Sequence, residues 1–457
     1  MPTREEVREQ IANDDVHYLL AQFVDLHGSP KVKLVPADQL DRLIDDGVPF
    51  AGSAIPGLGQ APNSHDMAAR VDLDSYTLVP WTDGVARFAS DLYVDGEPHL
   101  FCPRQNLKRV LSRVRSSGFT FNVGLEPEHH LVTKKEDGSI DVWDPNKVDN
   151  LRYPCYDSKG TSVAVGYLRR MMDAMSRLGW EPYQAEHEDG NGQYEINFAY
   201  SHALTTADRY TFFKMMASEF AHEIGAIATH MAQPFTGRVG NGGHIHYHLA
   251  DAVTDENLFL DDEDPRGLGL SPLAYQFIGG IFAYAPALCS VMSPTINCYK
   301  RLQVEPGITF TNFDFLWTPA NIAYGDNNRT QMIRTPGPGQ LEERSMSSAA
   351  NPYLALSAYV MAGLDGVQKK LDPGEPNLGN LYSLSLEEIR LRGIRILPQT
   401  LDESLAELKK DEVVQESLGV IYKEFVALKE AELREFRRQV TPWEIDQYLT
   451  LFYRVFV

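Results

Sequence analysis

The sequence predicts an α+β protein in two parts: a small strand-rich N-terminal region, and a larger region in which charged strands lie among helices. Three observations carry this. Hydrophobic residues make up 43% of the 457 and charged residues 23%, the balance of a chain with a core and not of a disordered one. Apolar/polar alternation dominates the first hundred residues, and helical spacing of apolar residues begins at about position 104. At roughly 100–200 residues per domain, the length accommodates two or three domains.

The elements follow in order. Residues 17–24 (HYLLAQFV) are largely apolar, Asp25-Leu26-His27-Gly28 reads as a turn, and Lys31-Val32-Lys33-Leu34-Val35 alternates with period two, which predicts a hairpin. Pro36 and a short polar helix come next, and residues 76–93 hold two more strand-like runs. A small mixed sheet ending near Pro103 fits this stretch. Further on, the pattern predicts a helix at 104–117, a strand at 119–132 and a helix at 165–178. Strands around a glycine-rich turn are expected at 184–200, a long helix at 205–226, a strand at 244–249 and a charged helical tail at 405–440. The expected domains are 1–103 and 104–457. The charge-free run 267–299 contains Pro272, Pro286, Pro294 and Gly279-Gly280. A membrane span needs about 20 more uniformly apolar residues, so a buried helix with flanking loops is expected.

Charge and cysteine usage exclude whole classes of partner. The net charge of −21 repels nucleic acid and anionic membranes, so neither is expected. Cys102, Cys155, Cys289 and Cys298 form no CxxC pair and read as reduced thiols of a cytoplasmic protein. The charged N-terminus lacks the apolar run of a secretory signal.

Four segments place charge where a strand should be apolar. In Gly124-Leu125-Glu126-Pro127-Glu128, two glutamates at i and i+2 share a strand face, an unfavourable pairing unless a cation is near. In His187-Glu188-Asp189-Gly190-Asn191-Gly192-Gln193-Tyr194-Glu195, the glycine-rich turn lets Glu188 and Glu195 converge. In Gly240-Asn241-Gly242-Gly243-His244-Ile245-His246-Tyr247-His248, three histidines in phase follow a glycine-rich loop that lets backbone approach a ligand. The fourth segment is rich in arginine: Arg301, Arg329, Arg334 and Arg344 fall within 44 positions of an acidic chain, and guanidinium binds carboxylate or phosphate in bidentate fashion. Glutamates with one histidine suit Mg²⁺ or Mn²⁺ and not a thiolate zinc site. Two such ions with several arginines describe a phosphoryl-transfer site. There is no GxxxxGK[ST] loop, and His222-Glu223 lacks the second histidine of HExxH because position 226 is alanine; a P-loop enzyme and a zinc protease are excluded.

Together, GLEPE, HEDGNGQYEIN, GNGGHIH, CYKRL and NNRTQMIR, with Asn351-Pro352-Tyr353-Leu354 and Asn380-Leu381-Tyr382, resemble the glutamine synthetase family over nearly the whole chain. The resemblance implies an N-terminal β-grasp domain and a catalytic domain forming an antiparallel-sheet funnel flanked by helices, assembled as double rings (a homododecamer or similar) with active sites between subunits. It implies two or three Mg²⁺ or Mn²⁺ ions and ATP: Glu128, Glu188 and Glu195 at one metal site, Glu126, His244 and Glu342 at the other. It gives Arg301 and Arg344 the substrate and the transferring phosphoryl group, Gly240 a contact to the amino acid, and Arg329 and Arg334, with His246, the nucleotide. The implied chemistry phosphorylates the γ-carboxylate of L-glutamate, and a nitrogen nucleophile then displaces phosphate.

Departures from the family pattern address the nucleophile. Ammonia-using bacterial members carry Asp-Gly-Ser-Ser after a phenylalanine, where this chain reads Phe50-Ala51-Gly52-Ser53-Ala54. The Pro-Gly-aromatic-Glu-Ala-Pro flap after KRL is replaced by a longer aromatic stretch through Trp317. Both changes remove charge and add apolar surface, favouring a small alkyl or aryl amine such as methylamine over ammonia. Glutamine synthesis from ammonia and a non-catalytic ring-forming homologue are the alternatives. Ser345-Met346-Ser347-Ser348-Ala349-Ala350 after Arg344 also departs from the family's usual aromatic/Leu-Pro-Asp.

Overall fold

The hairpin expected in the first residues forms, and its turn shows why. Asp25 accepts from the N–H groups of His27 and Ser29 (2.9 and 3.0 Å), and Gly28 takes a φ of 81°. The computed structural model describes residues 2–304 and 317–451. Strands β1 (Tyr18–Val24), β2 (Pro30–Pro36), β3 (Val48–Phe50), β4 (Met67–Val71), β5 (Thr77–Leu78), β6 (Val85–Val94) and β7 (Glu97–Pro98) build one sheet. Its order is β2-β1-β6-β4-β3, with β5 and β7 on β6 and the β1/β6 pair parallel. Helices α1 (Arg4–Asn13) and α2 (Leu40–Asp45) bury Val7, Ile11, Leu40 and Leu43 against Leu19, Ala21 and Phe88. This is the β-grasp arrangement.

The larger part begins with α3 (Pro103–Ser116), whose first turn holds a proline where no intrahelical donor is needed. The single strand expected at 119–132 is two, β8 (Phe119–Pro127) and β9 (His129–Lys134), and they belong to different sheets. Pro127 has no N–H to continue a ladder, and the chain crosses between sheets at Glu128. With β10 (Ile140–Val142), α4 (Ser158–Arg177), β11 (Pro182–His187), β12 (Gln193–Phe198) and β13 (Ser201–His202), the first half of this part is complete. Helix α4 starts earlier than its apolar spacing suggests, because the Asp157 carboxylate caps it by accepting from Gly160 N–H at 2.7 Å.

The second half runs through α5 (Ala203–Glu223), β14 (Ile227–Thr229), β15 (Gly243–Asp251), α6 (Pro272–Met292), α7 (Cys298–Arg301), β16 (Asn321–Ile322), β17 (Tyr324–Gly325), β18 (Ile333–Gly337), β19 (Gln340–Glu343) and α8 (Pro352–Lys369). One sheet has the order β13-β8-β15-β19-β18-β17; the other is β10-β9-β12-β11, with β14 on β9. Helices α6 and α8 pack on each other in the main core, around Phe277, Ile281, Tyr353 and Tyr359. Helix α6 is long and apolar enough to cross a membrane by composition alone, but it is mostly buried inside the protein, as expected for the run at 267–299. The helical tail expected at 405–440 consists of three helices, α9 (Leu401–Leu408), α10 (Glu412–Leu418) and α11 (Ile421–Phe436). Asp411 caps α10 and Gly419, at positive φ, ends it.

Candidate active site

Strand register assembles the site. Along β15, Glu126 lies opposite His244 on one side, and Glu342 lies opposite His246 on the other. Arg334 is in turn opposite Glu342 on β18. A row of acid, imidazole, acid and guanidinium thus crosses four neighbouring strands. In the second sheet, Glu186 is paired directly with Glu195, and the turn that follows carries Glu188. The two rows meet at the crossing of β8 into β9. Asn197 donates to Glu126 Oε1 (3.1 Å) and to Glu195 Oε1 (3.0 Å), bridging the sheets. Glu128, at the crossing itself, accepts from Gly242 N–H (2.8 Å) and from the Gln193 amide (2.9 Å).

Glu126, Glu128, Glu186, Glu188, Glu195, His244 and Glu342 line a cavity of about 660 Å³ that also takes in Gly240, Arg301, Arg329, Arg334, Arg344, Cys155, Tyr156 and Trp317, while His246, 2.9 Å from Glu126, is not in its lining. Around it, three groups of potential ligand atoms lie within 4.8 Å of one another: Glu126/Glu195/His244, Glu126/His246/Glu342 and Glu186/Glu188/Glu195. Every metal ligand implied by the resemblance therefore faces one space. The tight groups nevertheless cut across the two implied sets: Glu128 belongs to none of them, and Glu186, absent from the sequence reading, joins one. Its signal was present, since Glu186 and Glu188 repeat the i, i+2 spacing of Glu126 and Glu128.

Electrostatics separate the two rows. Burial opposes ionisation of Glu126, but His246 and His244 hold its carboxyl well below the usual range. Burial likewise opposes Glu342, and Arg344, His244 and His246 bring it down to about 2. Glu188 is pushed well up by burial and by Glu128 and Glu186; Glu195 is pushed up by burial and by Glu126, Glu188 and Glu128. Crowded, mutually repelling carboxylates of this kind are relieved by a divalent cation. Oxygen donors with one or two imidazoles are the ligand chemistry of Mg²⁺ and Mn²⁺.

The arginines occupy the other walls. Glu342 takes Arg334 Nη1 at 2.6 Å and is paired with Arg344. Arg301 is buried and donates to the carbonyls of Arg344 (3.0 Å), Ser345 (3.3 Å) and Met346 (3.4 Å). The departure at 345–350 is thus a firmly anchored loop. Glu343, wholly buried, accepts from the N–H groups of Ser345 (2.8 Å) and Met346 (3.1 Å), and Ser348 Oγ donates to the Glu128 carbonyl at 2.7 Å. The Arg329 carbonyl accepts from the Tyr382 hydroxyl at 3.4 Å, but its guanidinium makes no hydrogen bond or ion pair among the described residues; burial and the neighbouring Arg334 and Arg344 lower the guanidinium pKa. An uncompensated cation in a cavity suits an anion such as phosphate. At Gly242 a Cβ would come within 2.7 Å of both Arg301 Nη2 and His244 Nε2, and within 2.8 Å of Glu128 Oε1, so any larger residue displaces the ends of these three side chains.

Two expectations fall elsewhere. Phe50-Ala51-Gly52-Ser53-Ala54 lies in the β-grasp domain and is not among the residues lining this cavity. The replaced flap falls largely on 305–316, outside the described residues; Trp317, at its end, is in the cavity wall.

Clustered acids able to hold cations, facing arginines able to hold anions, on a two-domain α+β frame with a β-grasp domain, define a class: enzymes of metal-assisted phosphoryl transfer. The chain belongs to the glutamine synthetase family. The family's β-grasp domain matches residues 15–95 and its catalytic domain residues 100–448. Among curated relatives, the chain is 45% identical over 448 residues to the glutamate–methylamine ligase of Methyloversatilis universalis, covering 98% of this chain and 99% of the relative. It is 35% identical over 437 residues to the glutamine synthetase of Rhizobium leguminosarum bv. phaseoli, covering 95% and 97%. A solved GmaS/ADP complex superposes with a TM-score of 0.89 at 36% identity, covering 97% of this chain and 99% of the other. The protein is accordingly an enzyme, a ligase.

Proposed function

We propose that this ligase joins the γ-carboxylate of L-glutamate to a small primary amine, methylamine foremost, with conversion of ATP to ADP and phosphate. The observation that carries this reading is the 45% identity to a glutamate–methylamine ligase along the whole chain, against 35% to a glutamine synthetase. Ala51, in place of the carboxylate that ammonia-using relatives carry, agrees with it.

In this reading Glu128, Glu188 and Glu195, with Glu126, His244 and Glu342, hold two or three Mg²⁺ or Mn²⁺ ions, and Glu186 is added to them. The ions supply charge neutralisation for the triphosphate. Arg329 and Arg334, with His246, take the nucleotide. Gly240 and Arg301 hold glutamate so that a γ-carboxylate oxygen attacks the terminal phosphorus as ADP leaves. Arg344 and Arg301 stabilise the charge that develops on the transferring group. The amine nitrogen then attacks the acyl carbon, phosphate departs, and the nitrogen loses a proton.

We place the domain division at 103/104, between the end of β7 at Pro98 and the body of α3. We place the enzyme in the cytoplasm as a homododecamer or similar double ring, consistent with its unpaired cysteines. Ala51 is not among the residues lining its own chain's cavity, and in this assembly its loop serves a neighbour's site. The experiment is an ATP-turnover assay with methylamine and ammonium competing at equal concentration and phosphate release scored across an amine panel. Methylamine should win; preference for ammonium overturns the reading.

A further inference from the structure

One buried side chain touches three of the segments that build the site: the turn at 188–190, Glu128 and the Gly240 loop. Gln193 opens β12, is wholly buried, and faces His130 across the β9/β12 pair. Its amide oxygen accepts from Gly190 N–H at 3.0 Å. Its amide nitrogen donates to Glu128 Oε2 (2.9 Å), to the Gly240 carbonyl (3.1 Å) and to Asn241 Oδ1 (3.3 Å). Its backbone carbonyl accepts from Glu188 N–H at 2.9 Å. These partners fix the orientation of the amide. Turned over, its oxygen would face a carboxylate and a carbonyl, and its NH2 would face an N–H. Asn241 is fixed in the same way, since its own NH2 donates to the carbonyls of Thr229 (3.2 Å) and Met231 (2.8 Å).

The Glu128 carboxylate is left with one oxygen held and one available. Oε2 takes both the Gln193 amide and Gly242 N–H. Oε1 accepts no hydrogen bond among the described residues and lies 3.5 Å from His244 Nε2. A cation held by Glu128 therefore acts on a carboxylate whose far oxygen shares one NH2 group with the Gly240 carbonyl. Giving up either bond weakens the satisfaction of a buried donor, which is costly, so the two acceptors move together. Gly240 has little freedom of its own, because it packs on backbone: a Cβ there would meet the Ala232 carbonyl oxygen at 2.1 Å. We propose that Gln193 is a positioning residue that couples the cation centre to the amino-acid loop, so that cation and glutamate each tighten the other's binding. This rests on the ligase reading given above, in which Glu128 holds a cation and Gly240 contacts glutamate, and names the residue that links those two halves of the site.

The test measures Mn²⁺ binding by calorimetry, with and without saturating glutamate, in the unaltered enzyme and in Gln193→Met and Gln193→Asn, with circular dichroism as the check on folding. In the unaltered enzyme, glutamate should tighten Mn²⁺ binding at least about fivefold. Gln193→Met, of similar length but without a donor, should bring that ratio below about twofold, with KM for glutamate raised more than kcat is lowered. Gln193→Asn, whose amide is one methylene short of its partners, should fall between; it also serves if the methionine variant does not fold. A merely structural role would weaken Mn²⁺ binding equally with and without glutamate and leave the ratio where it was. A ratio unchanged in the folded variants, a ratio near one in the unaltered enzyme, or loss of the fold in both variants overturns the role of Gln193 and leaves the ligase reading standing. Unaltered enzyme that binds no Mn²⁺, or no glutamate, overturns the ligase reading and this inference with it.

Discussion

Replacing Arg104 by methionine should uncouple the β-grasp domain from the catalytic core, and the structure supplies the magnitude. The Arg104 side chain is 4% exposed. Its Nε and Nη2 take Asp208 of α5 in a bidentate grip (3.0 and 2.9 Å), and its Nη1 lies 2.9 Å from Asp72 and from Asp91 of the β-grasp domain. Lys108 also binds Asp72 (2.7 Å) and Asp91 (2.6 Å), so those two retain a cation in the variant. Asp208 loses its direct side-chain cation; among the described residues its carboxylate keeps the Tyr353 hydroxyl at 2.7 Å, and the Arg87 guanidinium nearby bonds its backbone carbonyl at 2.9 Å. Leaving one partner of a buried ion pair uncompensated costs about 3–5 kcal/mol, and this loss should fall on Asp208. Denaturant unfolding of the variant measures it, and hydrogen exchange along α3 and β6 localises it. The double variant Arg104→Met/Asp208→Asn should recover most of the loss, because the stranded charge is gone. A loss below about 1 kcal/mol, or no recovery in the double variant, would refute the reasoning.

Three further outcomes follow from the same geometry. Burial opposes ionisation of Asp72, yet Arg104 and Lys108 lower its pKa from 3.8 to about 2; the unfolded chain binds the extra proton between those values, so this contribution of about 2 kcal/mol is present above pH 4 and disappears as the pH falls to 2, which acid titration of unfolding reads. Gly242→Ala should lower kcat by at least about a hundredfold with the fold retained on circular dichroism, since its methyl would intrude among Arg301, His244 and Glu128. Glu195→Gln should melt higher than the unaltered protein in EDTA, because mutual repulsion with Glu126, Glu188 and Glu128 is relieved, but should gain less from added Mn²⁺, where a ligand at a hundred times its Kd stabilises by about 2.7 kcal/mol.

Much of this was readable in advance wherever a local rule governed the outcome. The hairpin followed from Asp25 and Gly28, the buried helix α6 from its prolines and glycines, and the converging acids from the glycine-rich turn at 190–192. What escaped depended on long-range pairing. Alternation alone could not show that the chain changes sheets at Glu128, because a proline-broken ladder and a continuous one look alike in sequence. Glu186 carries no motif of its own; its place in the site comes from facing Glu195 across two strands. The tail reads as helical because apolar residues recur in it at helical spacing, while its division at Asp411 and Gly419 rests on capping events that periodicity does not register. The grip of Asp189 on Trp317 joins residues 128 positions apart, a distance no local pattern spans.

The passage of one strand from sheet to sheet at Pro127–Glu128 has a mechanical consequence. The two β-layers are two leaves sewn together at several points, where β8 runs into β9, β12 into β13 and β14 on to β15, and acids of both are bridged by the amide of Asn197. A divalent ion seated among those acids acts as a clasp. Its loading should stiffen amides far out on β10 and β17 alike, so occupancy of the centre is felt at the outer margins of both leaves.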